Sequence, residues 1–297
     1  MRIPIIFLAF SLFFVSCKAQ PRQTDLKANN DNNSLLWEVS GNSLKQNSYL
    51  FGTFHLLCKA DINISSQLKT AVANADKMYM ELDMDDPSVL MGGLLMMNMK
   101  GGKKLKDLYT DTDYNRVATF FKDSLRMPIS FLQSTKPYFL VAMLYPKMMP
   151  CKTVSGVEEE LMKLARTQQK EIKGLETMEF QAAVFDSIPY SEQAKELLKS
   201  IDSMDAYKKY FDTMVNVYKS QRLEAIEKLF SQSEFGMEEH QDILLDNRNR
   251  NWVTQLNVIM KKESVFVAVG AGHLVGEKGL IELLKKEGYT LRPILNW

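Results

Sequence analysis

The chain has 297 residues, 45% of them hydrophobic, and its 37 basic and 36 acidic side chains leave a formal net charge of +1. That length and apolar content can bury one large core or two small ones. The balanced charge offers neither the basic footprint of a nucleic-acid binder nor a polybasic anchor for anionic lipid, so nucleic acid is excluded as an expected partner.

At the amino terminus Arg2 is followed by an apolar run from Ile3 to Ser16, too short for a comfortable membrane span, and then by Cys17. A cysteine directly after a small residue at the end of such a run resembles the lipobox of bacterial lipoproteins. It predicts a signal peptide over residues 1–16, lipidation at Cys17 and an exported protein anchored by lipid to a membrane of the bacterial cell envelope. An ordinary secretory signal cleaved nearby is the alternative. Residues 17–34 are polar and Asn-rich without apolar periodicity, which predicts a disordered tether ahead of a folded domain over 35–297. Export makes Cys58 and Cys151 a candidate disulfide closing a long loop. A thiolate ligand or nucleophile at Cys58, three residues after His55, is the other reading.

Ser34 to Val39 reads as a strand, and the turn formers around Gly41-Asn42-Ser43 predict a hairpin with a second strand that ends at His55. Ser65 or Ser66 caps a helix with apolar positions Leu68, Ala71, Val72 and Ala75. Alternation over Lys77 to Met84 predicts a strand with Tyr79, Glu81 and Asp83 on one face and methionine and leucine on the other. From Pro87 to Met149 the text is helical and methionine-rich, broken by Gly92-Gly93 and Gly101-Gly102. The methionines sit at helical spacing among leucines, as core packing requires. A helix from Gly156 to Gln168, with Glu158, Glu159 and Glu160 as favourable charges in its first turn, leads to a strand over Glu171 to Glu176. Helix followed by strand implies a crossover and a partly parallel sheet. Thr177 to Lys262 is helix-compatible, then come a strand over Val265 to Val269, a helix over Glu277 to Glu287 and a last strand over Tyr289 to Leu295. The fold class is α/β, a mixed sheet with flanking helices and a large helical insertion.

Three histidines occur in the whole chain, and two close apolar strands with the same pattern, Gly52-Thr53-Phe54-His55 and Gly270-Ala271-Gly272-His273. A single Gly-x-x-His recurs by chance. The pair, each copy at the carboxyl end of a buried-looking strand, places imidazoles where open α/β sheets collect ligands. Glu81, with Asp83 in reserve, is the carboxylate expected to share that place as metal ligand or general base. Glu176 is a further, weaker candidate. On a helix Leu245, Arg248, Asn249 and Trp252 share a face, and an arginine on a packing face needs a carboxylate or an anionic ligand. His240 follows no strand and is expected to be exposed. No Gly-x-Gly-x-x-Gly or phosphate-loop pattern is present.

These residues resemble the TraB/PrgY/GumN family, related to the Tiki proteins. The resemblance rests on Leu50-Phe51-Gly52-Thr53-Phe54-His55, Glu81, Arg248-Asn249 with Trp252, and Gly270 to Gly276 with Gly288-Tyr289, and it spans residues 35 to 295. It implies a fold similar to the erythromycin-esterase and ChaN-like proteins, with two related halves each bringing a Gly-x-x-His to one cleft. Tiki proteins are described as metal-dependent proteases. The resemblance therefore implies His55, His273 and Glu81 as catalytic residues and as ligands of a divalent ion, manganese, cobalt or zinc, with Arg248 positioning or stabilising charge. The expected activity is that of an exported, lipid-anchored hydrolase of peptidase type, acting on a peptide or small molecule. Because some members block a peptide pheromone, a lipoprotein that binds or sequesters peptides in the same cleft without turnover is the alternative.

Overall fold

The computed structural model describes residues 33–231 and 240–296. The expected signal peptide and Cys17 lie outside them. Among the described residues no helix is long and apolar enough to cross a membrane.

The chain opens with the expected hairpin, β1 (Leu36–Gly41) and β2 (Ser48–Thr53), paired antiparallel with Trp37 opposite Leu50. Its turn uses left-handed backbone at Asn42 and Ser43, which short polar side chains tolerate. A short strand β3 (Leu57–Cys58), helix α1 (Ser66–Asn74) and strand β4 (Lys77–Met80) follow. Ser65 is the cap of α1, its Oγ accepting from the Leu68 N–H at 3.0 Å. The first helical stretch is α2 (Pro87–Met96), α3 (Asp111–Leu125), α4 (Pro137–Ala142) and α5 (Tyr145–Met148). Gly92 and Gly93 lie inside α2 and break nothing, whereas Gly101 and Gly102 take positive φ beyond its end. Then come β5 (Val154–Ser155), α6 (Val157–Thr167) and β6 (Glu171–Gly174). The second helical stretch is α7 (Met178–Asp186), α8 (Tyr190–Asp202), α9 (Met204–Ser220) and α10 (Leu223–Ser231). The chain closes with α11 (Asn247–Ile259), β7 (Val265–Gly270), α12 (Leu280–Lys286) and β8 (Tyr289–Pro293). The helix expected from Glu277 begins at Leu280, because a short turn over Ala271–His273 and the residues after it precede it.

The six long strands form one mixed sheet in the order β6-β4-β7-β2-β1-β8. β6, β4, β7 and β2 run parallel, and β1 and β8 are antiparallel to their neighbours. Both central strands, β2 and β7, are almost wholly buried, so they read as continuous apolar runs without alternation. The four parallel strands present their carboxyl ends along one edge. His55, Glu81, Glu176 and His273 all follow one of those ends within three residues.

Two apolar clusters hold the molecule. One joins the sheet to α1, α6, α11 and α12, and the other lies within the helical stretches, around Val117, Phe121, Leu140, Leu144, Leu197 and Phe211. The fully buried Lys136 pins the two stretches together, its Nζ donating to the Ala182 carbonyl at 2.9 Å and lying 2.8 Å from Asp186. Gly52 shows why the first motif carries glycine. A Cβ there would stand 2.7 Å from Leu274 Cδ1 and 3.1 Å from Ala271 Cα, inside the turn of the second motif.

Cys58 and Cys151 form the disulfide, with Cα atoms 5.8 Å apart. It lies beside the two-stranded ribbon in which β3 pairs with β5, Leu57 opposite Ser155 and Cys58 opposite Val154. The bond closes a loop spanning 93 positions, for which chain-entropy reasoning gives a stabilisation of about 4.7 kcal/mol. Denaturant unfolding of a Cys58→Ser/Cys151→Ser variant is expected to show a loss of that size. A loss below about 1 kcal/mol would mean that the ribbon closes the loop unaided.

Candidate functional site

Glu81 and Glu176 are brought side by side by backbone pairing that continues past the ends of β4 and β6. The Leu175 N–H donates to the Met80 carbonyl at 2.8 Å, and the Glu176 N–H donates to the Glu81 carbonyl at 2.9 Å. The strand ends at Met80, short of the expected Met84, yet the expected faces persist beyond it, with Met78, Met80 and Leu82 buried and Tyr79, Glu81 and Asp83 half-buried. Glu81 turns into the site, while Asp83 lies with Asp85 and Asp86. Burial, Asp85 and Asp86 push the Asp83 pKa up to about 6.

Arg248, on α11, meets both carboxylates. Its Nε donates to Glu176 Oε1 at 2.9 Å, and its Nη2 donates to Glu176 Oε2 at 2.9 Å and to Glu81 Oε2 at 2.6 Å. Nη1 donates to the Leu244 carbonyl at 3.0 Å and faces His273 Nε2 at 3.3 Å. All five guanidinium N–H groups are thereby used. The charge also lies 4.8 Å from the centre of the Trp252 ring. Burial works against the charged form of Arg248, but the two carboxylates outweigh it and raise its pKa above the ordinary arginine value. Glu81 Oε1 accepts from the Gly270 N–H at 2.9 Å, and Gln181 Nε2 reaches both carboxylates at 3.2 Å. Burial alone would push the Glu81 carboxyl up. The facing groups His273, Arg248 and His55, with the Gly270 N–H, hold its pKa down at about 2.

The His273 tautomer follows from its neighbour. Asn249 Nδ2 donates to the Lys278 carbonyl at 2.9 Å, which leaves Oδ1 as the acceptor 2.7 Å from His273 Nδ1. Nδ1 therefore carries the proton and the Nε2 lone pair faces Arg248 and, at 3.9 Å, Glu81. Burial drives the His273 pKa down to about 3, with Arg248 and His55 also opposing the charged form, so the ring is neutral. It packs on Trp252 with ring centres 4.4 Å apart.

His55 differs in every respect. Its side chain is 77% exposed and Nδ1 lies 2.8 Å from Glu158 Oε1, at the start of α6. That contact, reinforced by the negative charges of Glu158 and Glu81, lifts the His55 pKa to about 9. A cavity of about 530 Å³ opens between these groups, lined by His55, Glu81, Glu158, Gln181 and Arg248 with an apolar wall that includes Met80, Met162 and Phe185. His273 does not line it. The two motif histidines thus reach one sheet edge but play unlike parts, one at the rim and charged, the other buried behind the carboxylates and neutral.

Glu158 is the member that sequence reasoning missed, since three consecutive glutamates at a helix start read as helix-dipole charges. The available signal was the cysteines: a Cys58–Cys151 bond brings the chain before α6 to within a few residues of His55, and the β3–β5 pairing completes the approach. Glu176 proves central where only a weak role was expected. His240 is half-buried and faces Glu192 at 3.2 Å, so it is not the exposed residue that its sequence context suggested.

The ligand set implied by the resemblance, His55, His273 and Glu81, does not converge as one group. His55 Nδ1 is turned to Glu158, the guanidinium of Arg248 stands against His273 Nε2 and both carboxylates, and no group of three or more His, Cys, Asp or Glu side chains among the described residues stands ready to hold a metal ion. The residues as arranged do not fit a divalent ion.

A mixed α/β sheet with two Gly-x-x-His turns, an acid pair and a buried arginine at one edge defines the class of this protein. Residues 35–293 match the TraB/PrgY/gumN family, and the chain belongs to it. Comparison with curated proteins and with solved structures gives no match.

Two outcomes test the site. Arg248→Met leaves two buried carboxylates without their cation, and denaturant unfolding is expected to show a loss of about 3–5 kcal/mol. A loss under about 1 kcal/mol would mean that water already screens the cluster. In a proton NMR titration the His55 ring is expected to titrate near 9 and, in Glu158→Gln, to fall toward about 6.5, the ordinary histidine value. An unchanged titration would remove Glu158 as the cause.

Proposed function

We propose that this protein is an exported, lipid-anchored hydrolase with peptidase-like chemistry, in which Glu81 is the base and His55 the acid. The observation that carries the reading is that a carboxylate, Glu81, and an imidazole, His55, line one cavity of about 530 Å³. Glu81 is held ionised and His55 is held protonated through the neutral pH range, the states a base and an acid need. A water bound in the cavity would give its proton to Glu81 as its oxygen attacks the substrate carbonyl carbon. With His55 Nδ1 on Glu158, the other ring N–H is free to bind the developing oxyanion and then to protonate the departing amine or alkoxide. Arg248 has no donor left for substrate, so it acts by holding Glu81 ionised and in place. The apolar wall suits an apolar side chain of a peptide. The export and lipid anchor rest on residues 1–17 and are part of the same proposal.

One observation favours a second reading, capture of a peptide without turnover. Both Glu81 oxygens already accept hydrogen bonds, from Gly270 and from Arg248 with Gln181, and such a closed shell suits a fixed binding surface.

The deciding experiment incubates the mature chain with a mixed peptide library and follows new termini by mass spectrometry, with Glu81→Gln and His55→Gln as folded controls. Cleavage is expected, with the rate falling at least about a hundredfold in each variant. The rate should also decline as the pH rises through 9 and His55 loses its proton. Peptides retained by the wild type with no new termini would overturn the hydrolase and leave the binding protein.

A further inference from the structure

A second cavity, of about 540 Å³, opens in the first helical stretch, and its lining is mostly apolar, with Met97, Phe131, Phe139 and Met143 among the side chains. The Phe131 ring is 80% exposed. An apolar ring standing in water at the edge of an apolar cavity marks a contact surface. One aromatic pair separates this cavity from the site already described. Phe139, in its wall, meets Phe185, in the wall of the cavity that holds His55 and Glu81, with ring centres 5.1 Å apart. Charge distinguishes the two. Segments 97–106 and 126–149 supply the lining of the second cavity, and they carry four lysines and three basic residues respectively, with no aspartate or glutamate in either. The basic loop is tied along the cavity's edge, because Lys104 Nζ donates to Ser134 Oγ at 3.1 Å and the Leu105 N–H donates to the Gln133 carbonyl at 2.7 Å. Asp186 is shared by Lys100 and Lys136, so it balances only one of them. The first cavity has the opposite sign, with Glu81, Glu158 and Glu159 against His55 and Arg248. The near-zero charge of the whole chain conceals this difference.

We infer that the two cavities are subsites of one groove, and that the second receives the continuation of a peptide held in the first. The continuation is an extended segment with an apolar side chain for the space between Phe131 and Phe139 and acidic side chains for the lysine loop. The inference rests on the reading of the first cavity as a peptide site, in its hydrolytic or its binding form, and names the class of peptide. Continuity through the Phe139–Phe185 pair favours one chain passing through both cavities over a membrane surface, which would meet the second alone. The opposite signs of the two cavities also fix which part of the peptide is acidic, since carboxylates are repelled where Glu158 and Glu159 stand and attracted beside Lys104.

The test measures binding to the mature chain by fluorescence anisotropy with labelled synthetic peptides, shown by mass spectrometry to stay uncleaved. One is a short apolar peptide for the first cavity, the second is the same peptide extended by leucine and glutamate residues, and the third is extended by leucine and lysine. Wild type, Phe131→Ser and Lys103→Glu/Lys104→Glu are compared, all three side chains being exposed and each fold checked by circular dichroism. The acidic extension is expected to tighten binding to the wild type about tenfold or more, and each variant to lose that gain while holding the short peptide as before. Equal affinity for the two extended peptides, or a gain that survives both variants, would overturn the inference. So would sedimentation with phosphatidylglycerol vesicles that is lost in Phe131→Ser while the acidic extension gains nothing, which gives this face to a membrane. If the short peptide fails to bind and the acidic one binds through Phe131, the second cavity stands and the reading of the first falls.

Discussion

Five N–H groups on one side chain organise the functional edge of this protein. A buried guanidinium is costly unless every donor and the charge itself are satisfied, and Arg248 meets that condition only when β4, β6, α11 and the turn after β7 are all in place. The requirement runs in both directions. Glu81 and Glu176 could not lie buried side by side without the arginine between them, and the arginine could not stay buried without them. Trp252 beneath it and His273 beside it complete a shell with no room for slack. The result is a rigid inner layer of charge, above which lie the cavity and the exposed His55.

Much of this arrangement is legible in the sequence. The strands β1, β2 and β7 announce themselves through apolar runs, and Ser65 marks the start of α1. The face shared by Leu245, Arg248, Asn249 and Trp252 follows from helical spacing alone, and all four are buried. The two Gly-x-x-His copies correctly point to one sheet edge because β2 and β7 are parallel neighbours. What could not be read was depth. Identical motifs put one histidine at 77% side-chain exposure and the other at 5%, since the first turn leads out along a ribbon and the second is covered by α11. Glu158 was hidden for a related reason: its partner is about a hundred positions away, and no local period records a contact of that range. Glu176 was undervalued because its importance arises from strand pairing with Glu81.

The two histidines divide the chemistry of the edge by their surroundings. Desolvation decides the state of His273, whereas neighbouring carboxylates, Glu158 first and Glu81 after it, decide that of His55. The residue buried by the fold is the one that cannot respond to pH near neutrality, and the residue at the rim is the one that lines the cavity.

The ribbon formed by β3 and β5 has a mechanical consequence. His55 precedes one arm and Glu158 follows the other, while Cys58 and Cys151 close the two arms covalently. The Val157 N–H donates to the Phe54 carbonyl at 3.1 Å, so backbone also spans the gap. The imidazolium and its carboxylate are thus mounted on a calliper whose jaws are set by a bond and not by the packing of the helices. The spacing of that proton-bearing pair is therefore set at the ribbon and its crosslink, apart from the second apolar cluster within the helical stretches.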